Sequence, residues 1–345
     1  MSKDIELYDE VDLIKKMTRD LKKASSTLKK PEVRFLVDAY YRMQEKRIQY
    51  ARQIRTMEAF GEPHELLRWF FTQAHTLEKQ IAGALDAYST SNKVGQWMRS
   101  IPGIGPVIAA GFMAHLEIAP WRCHNVALKG EKNLPCTHEK GACTENCGHE
   151  PINYAGQWHT FAGLNPRIQW EKKTRRPWNT ALKTLCYKLG ESFVKVQNHK
   201  DDFYGQIFVE RKSQEWERNF NGENAKAAEL ALKKNIGKST NAYKWYSGNV
   251  SNTWARSEWE SDKKGQKFGG ATLPKKGLVE DGTPMLPPAH IHARARRYVA
   301  KLFLFHLHQV MWEVEQGETP PQQTFFADSD SVIDVPTVFP NSPFL

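Results

Sequence analysis

Residues 97–113, WMRSIPGIGPVIAAGFM, place two glycines in a tight turn between two apolar stretches of helical character. Gly103 and Gly105 let the backbone take left-handed angles without a Cβ clash, and Pro106 suits the first turn of the following helix, where its missing N–H costs nothing. Such a turn leaves amide N–H groups at a helix N-terminus without intrahelical acceptors, and these groups and the helix dipole together favour an anion. The pattern predicts a helix-hairpin-helix that offers the backbone of Gly103, Ile104, Gly105 and Val107 to phosphate. The alternative is a close-packed corner between two helices, held by Ile101, Ile104, Val107 and Ile108.

Charge agrees with the phosphate reading. The 345 residues carry 49 Lys plus Arg against 39 Asp plus Glu, a formal +10. Residues 319–345 hold Asp328, Asp330 and Asp334 with no Lys or Arg; setting those three carboxylates aside leaves +13 on the rest. A basic body draws in polyanions, and neutralising several phosphates makes affinity steeply salt-dependent. No run of about 18 apolar residues is present, so no membrane partner is expected. The charged opening MSKDIELYDEVDLIKK has no apolar centre of a secretory signal, which points to a cytoplasmic protein.

Upstream of the turn, apolar and aromatic residues recur in steps of three and four. Leu36, Tyr40, Met43, Tyr50, Ile54 and Met57 form one row, with Arg47 in the missing place. Beyond the break FGEP, the row Leu67, Phe70, Ala74, Leu77, Ile81, Ala84 and Tyr88 obeys the same rule. Heptad spacing on two neighbouring segments predicts a long antiparallel, coiled-coil-like helical hairpin over residues 33–95. Such a hairpin either joins two subunits in a homodimer or packs as an ordinary bundle. Residues 1–32 read as a basic helical arm ending in LKKP, and residues 319–345 as an acidic tail. The fold class is mainly α, with residues 96–318 forming the helix-hairpin-helix domain.

That domain contains a cysteine and histidine insertion at residues 123–153. It is polar and glycine-containing, too poor in large apolar residues to build a core. A tetrahedral zinc ion would fold it, since thiolate and imidazole are its preferred ligands. Cys136, Cys143, Cys147 and His149 are the preferred set, with His138 or Cys123 as replacements for His149. Free thiols in a surface insertion are the alternative. Four protein ligands leave no open position, so the zinc would be structural.

Next comes a run that mixes cations with indoles. Arg167, Lys172, Lys173, Arg175 and Arg176 stand against one Glu171, flanked by Trp170 and Trp178. Cations pair with phosphates, while indole faces stack on unpaired bases or pack on the scaffold. Asn179 is placed to cap a helix with the apolar face Leu182, Leu185, Leu189 and Val196. A late helix introduced by Pro287-Pro288 carries Arg294, Arg296 and Arg297 in its first turns and an apolar face further on, so its start is expected to meet phosphate. Its His-x-His pairs, His290/His292 and His306/His308, are no metal site: residues two apart on a helix lie on different faces.

The order of parts, a helical hairpin, IPGIGPVIAAGFMAHL, FAGLNP, a basic segment with its helix and a late arginine-rich helix, resembles the C-terminal half of the insertion-sequence 110/116/902 transposases, the bridge-RNA-guided recombinases. The resemblance is specific at residues 101–113 and 161–166. Two departures stand out. Those recombinases begin with a RuvC-like acidic domain, for which residues before Val33 give no room. They also use a serine in the segment that here reads RIQWEKKTRRPW, where only Thr174 carries a hydroxyl. The chain is similar, too, to the Tas proteins of tandem-interspaced-guide-RNA systems, whose Nop-like RNA-binding domain is considered kin to this transposase half, and some of which have no attached nuclease.

The resemblance implies a protein that binds a small structured guide RNA as a dimer and uses it to target DNA, with no cleavage chemistry of its own and any nuclease acting in trans. Guide pairing then reads sequence while the protein holds backbone and shape. Two rivals remain: a divergent transposase or nuclease using, for example, Ser192, and an architectural protein that bends DNA without RNA.

Overall fold

The computed structural model describes residues 16–61, 65–122, 148–233, 236–247, 277–278, 282–318 and 320–321. These are mainly α-helical. In chain order the helices are Arg19–Ala24 (α1), Lys30–Glu58 (α2), Glu65–Ser89 (α3), Lys93–Ser100 (α4), Pro106–His115 (α5), Ala155–Phe161 (α6), Thr180–Val196 (α7), Tyr204–Phe220 (α8), Ala225–Leu232 (α9), Asn241–Ser247 (α10) and Pro288–Gln316 (α11). The chain divides into two compact units, one made of Met1–Leu185 with Phe305–Leu345, the other of Cys186–Leu304. Helices α7 and α11 each begin in one unit and end in the other.

In the first unit, Lys30 and Pro31 open α2 instead of closing the segment before it. Proline is tolerated in a first turn, and the Glu32 carboxylate accepts the Lys29 N–H at 2.7 Å. Helices α2 and α3 lie together with opposed directions: Arg68 stands 3.9 Å from Glu58, Tyr50 stacks on Phe70 with ring centres 5.6 Å apart, and Arg47 meets Glu78 at 2.5 Å. Arg47, the one charge in an apolar row, thus has a partner in Glu78, which is buried. On α3 the buried row is Phe71, Ala74, Glu78, Ile81, Leu85 and Tyr88. Phe71, not its neighbour Phe70, packs with Ile54, and Phe70 stays 38% exposed at the edge over Tyr50.

Helix α5 is apolar on every side and accordingly buried, against α2, α3 and α4. Its C-terminal carbonyls receive cations from α2: Arg34 Nε donates to Ala114 O at 2.9 Å, and Lys30 Nζ to Leu116 O at 3.1 Å. Beyond it, Trp121–Arg122 (β1) and Gly148–His149 (β2) pair antiparallel, with Trp121 opposite His149 and Arg122 opposite Gly148. Further along, α7 crosses α5 closely, since a Cβ on Gly111 would stand 2.8 Å from Leu185 Cδ2. The end of α11 buries His306 and His308, and His308 Nε2 lies 2.5 Å from Ile152 O with its ring against Trp158.

The second unit has its own core of Trp216, Ala228, Trp245, Met285, Leu286 and Ile291. Asn219, fully buried, clamps the backbone of one core residue: its Nδ2 donates to Leu286 O at 3.0 Å and its Oδ1 accepts from Leu286 N at 2.8 Å. Satisfied in both directions, a buried amide fixes that loop in one register. Phe193, Tyr204 and Phe303 make a second aromatic cluster, ring centres 4.7 to 6.1 Å apart.

Candidate nucleic-acid interface

Residues 101–107 turn α4 into α5. Gly103 has φ of 88°, a backbone that L side chains rarely adopt, so glycine is required there. Gly105, the N-cap of α5, has an ordinary φ of −81°, and a Cβ on it would meet nothing within 4 Å. Among the described residues nothing crowds that glycine, which leaves the helix start open to approach. Ile101, Ile104 and Val107 turn their side chains into the core. The Ile104 N–H, read from sequence as a phosphate donor, is used within the turn on Ile101 O at 3.0 Å. Among the described residues, no acceptor faces the Gly105, Val107 or Ile108 amides. These are the donors left without an acceptor there, as first-turn amides have no intrahelical partner. Arg99, which the sequence reading passed over, braces the turn from behind: its Nη1 donates to Ile104 O at 2.7 Å and its Nη2 to Asp86 Oδ1 at 3.2 Å.

The basic run stands at the other end of α5. Residues 169–177 are all exposed, Lys172, Lys173, Arg175 and Arg176 among them, and so is Arg167. The loop has internal order. Arg167 N donates to Asn165 Oδ1 at 3.0 Å, Lys173 takes a φ of 72°, and the Trp170 indole N–H donates to Thr174 O at 2.9 Å. The Arg176 guanidinium sits 5.3 Å from the Trp170 ring centre. Trp170 is 38% exposed, an indole fixed at its edge and backed by a cation.

Trp178 is engaged differently. A Cβ on Gly163, whose φ is 65°, would stand 2.7 Å from its Cγ, and Lys183 Nζ lies 4.1 Å from its ring centre. Its indole surface is taken up by the scaffold, which makes it an anchor of the loop and leaves Trp170 as the better stacking surface. Asn179 closes the loop: its N–H donates to Phe161 O at 2.9 Å, and its Oδ1 accepts from Leu182 N at 3.0 Å as the N-cap of α7. With Oδ1 so fixed, Nδ2 faces His115 Nδ1 at 3.3 Å. Burial, helped by Arg34, pushes the His115 imidazole down to about 4, so it is neutral and accepts that hydrogen bond. A cavity of about 830 Å³ opens beside this closure, lined by Phe161 and by the run from Arg175 to Thr180. With the 10 residues of α5 between them, the glycine turn and the Asn179 closure at His115 are separated by roughly 15 Å.

The late arginines belong to the second unit, where Arg294 and Arg296 have acidic partners. Arg294 Nε lies 2.9 Å from Glu215 Oε2, and its Nη1 donates to Asn224 Oδ1 at 2.8 Å. Glu215 is 1% exposed and also meets Arg211 at 2.5 Å and Arg218 at 3.9 Å. Arg296 pairs with Glu191 and lies 3.9 Å from the Tyr187 ring centre, its stem crossing where Gly190 has no side chain. Arg297 is exposed.

Of the proposed zinc ligands, Cys136, Cys143 and Cys147, with the alternatives His138 and Cys123, lie outside the described residues. His149 is described: it is exposed, and its Nδ1 is 2.7 Å from Ala119 O. Comparison with known families, curated proteins and solved structures gives no match.

Proposed function

We propose that this chain is a nucleic-acid-binding protein that holds a small structured guide RNA, uses it to find a DNA target, and leaves any cutting to a nuclease in trans. One observation carries the reading. Residues 169–177 are exposed throughout and concentrate four cations around an indole, Trp170, that is tied at its edge and backed by Arg176. Guanidinium and ammonium groups answer phosphates, and a fixed indole answers an unpaired base. The amides of Gly105, Val107 and Ile108 supply a second phosphate contact in helix-hairpin-helix manner, with Arg99 behind them. The guide-RNA part of the proposal comes from the likeness in order of parts to the bridge-RNA-guided recombinases and the Tas proteins. The α2–α3 hairpin is proposed as the homodimer contact, in keeping with its exposed Ile48, Met57, Leu66 and Phe70.

The test is RNA binding by fluorescence anisotropy across a salt series. The wild type binds with an affinity that falls steeply as salt rises, and Arg175→Glu/Arg176→Glu weakens it about a hundredfold while flattening the salt slope by roughly two. Unchanged affinity in that variant overturns the proposal. Sequencing the co-purifying nucleic acid sharpens it: a discrete short RNA supports the guide reading, random DNA supports an architectural protein, and metal-dependent nicking of plasmid by the pure chain supports a recombinase.

A structural zinc in the cysteine insertion is part of the same proposal. Strands β1 and β2 hold together the chain on either side of the insertion, and they stop one residue short of Cys123 and of Cys147. A carbonyl on His149 Nδ1 is also the usual means of orienting a metal-binding imidazole. Elemental analysis of the purified chain is expected to find about one zinc per chain; a zinc-free, fully folded protein overturns this part.

A further inference from the structure

We infer that the cavity between Phe161 and the run from Arg175 to Thr180 receives a single unpaired nucleotide, so that the protein selects a single-stranded or bulged segment over a duplex. The inference rests on the nucleic-acid reading above and adds to it what the strand must look like.

The argument starts from the walls. Phe161 is 43% exposed although its own backbone is firmly held, its carbonyl accepting the Asn179 N–H at 2.9 Å. An aromatic ring kept half in water on a fixed backbone is a surface waiting for a flat partner. Pro177 adds a rigid apolar wall, and Arg175 and Arg176 stand on the same cavity. An aromatic ring and a proline lining the same cavity as two arginines match the two halves of a nucleotide, a flat base and its phosphate. At about 830 Å³ this open cleft has the volume of pockets that take a small ligand.

Geometry then decides between strand types. In a duplex the bases are paired and stacked, so their flat faces are covered and only base edges in the grooves and the sugar–phosphate exterior reach a protein surface. Such a surface satisfies the guanidiniums but leaves the Phe161 wall wet. An unpaired nucleotide satisfies both, because its base is free to leave the stack. The cavity also sits on a stiff frame, with Asn179 capping α7 and Trp178 held against Gly163. Little ordering is therefore required when the base enters.

The experiment compares a labelled oligouridine with a blunt RNA duplex of equal length, on the full chain, for the wild type, Phe161→Ala and Phe161→Tyr. Phe161→Ala is expected to lose roughly tenfold on oligouridine, the size of one stacked base, and less than about twofold on the duplex. Phe161→Tyr retains wild-type binding to both. An equal loss on both probes, or no loss on either, overturns the inference. A wild type that binds duplex but not oligouridine also overturns it while leaving the nucleic-acid reading intact; one that ignores both probes removes the two together. Crosslinking with 4-thiouridine-containing oligouridine needs no variant: adducts on Phe161 or on residues 175–180 support the pocket, and adducts confined to other segments overturn it.

Discussion

In the first unit the basic loop at residues 169–177 faces water along its whole length, whereas on α11 in the second unit Arg294 and Arg296 are taken up by Glu215 and Glu191. The two segments carry similar charge. What separates them is the company of carboxylates. Arg294, Arg211 and Arg218 converge on one buried Glu215, so most of their charge organises the fold. Within residues 169–177 Glu171 is the one carboxylate beside four cations, and the local hydrogen bonds shape the backbone and Trp170. A cation's availability to a polyanion is thus set by its acidic neighbours, not by its density along the chain.

The sharpest way to break this comparison is to exchange the consequences. Glu215→Gln leaves three guanidiniums facing an uncharged amide in a buried place. The expected cost is about 3 kcal/mol, toward the low end for a broken buried pair because the arginines are partly in water. That is a fall in Tm of roughly 10 °C, read by calorimetry. RNA affinity at a temperature where both proteins are folded should stay within about twofold of wild type. Arg175→Glu/Arg176→Glu should do the reverse, costing about a hundredfold in affinity while moving Tm by less than about 2 °C. If the loop variant unfolds the protein, or the Glu215 variant loses RNA at full stability, the two regions have been assigned the wrong way round.

Much of this division was invisible in the sequence. Glu215 and Arg294 are far apart along the chain, and no local period links them, so the arginine-rich start of α11 read as a phosphate surface. Local signals fared better. Asn179 was legible as a cap because side-chain oxygen before an apolar-periodic run has one common use, and it does accept from Leu182 N. The α3 row was legible from its spacing in Ala74, Ile81, Ala84 and Tyr88, whereas α2 buries Val33, Val37, Ala51 and Ile54, of which the row read from sequence held only Ile54, and its Met57 is exposed; Arg47, an apparent fault in that row, has its reason in Glu78. Phe71 was missed in favour of Phe70 since two adjacent aromatics fit the same row within one residue. Trp178 read as a stacking surface because nothing in the sequence reveals that Gly163 lies against its ring.

The two glycines of the turn carry the comparison inward, from charge to backbone. Gly103→Ala forces an L residue to a φ of 88° and should cost about 1 kcal/mol, lowering Tm with binding unchanged where folded. A Cβ added at Gly105 meets no described atom within 4 Å, so Gly105→Val should change Tm little, yet a side chain beside the first-turn amides of α5 should weaken RNA binding about threefold to tenfold. Equal behaviour of the two variants in both measurements would return the turn to a mere packing corner.

The smallest effect concerns the closure of the basic loop. His115 holds Asn179 Nδ2 through a neutral Nδ1, with its imidazole lowered to about 4 by burial and by Arg34. The unfolded chain takes up that proton near the ordinary value of about 6.5, well before the folded chain does. The folded state therefore keeps its full advantage above about 6.5 and loses it as pH falls from there toward 4. At pH 5.5 the loss attributable to His115 should be about 1 kcal/mol, a figure that allows for its partial contact with water. Urea unfolding of wild type and His115→Gln at pH 7 and 5.5 isolates it, since groups that titrate elsewhere affect both proteins alike. The wild type should lose more stability over that interval than the variant. Parallel losses would mean that the imidazole reaches water, and that Asn179 is positioned by the α7 cap and the Phe161 carbonyl without help from α5.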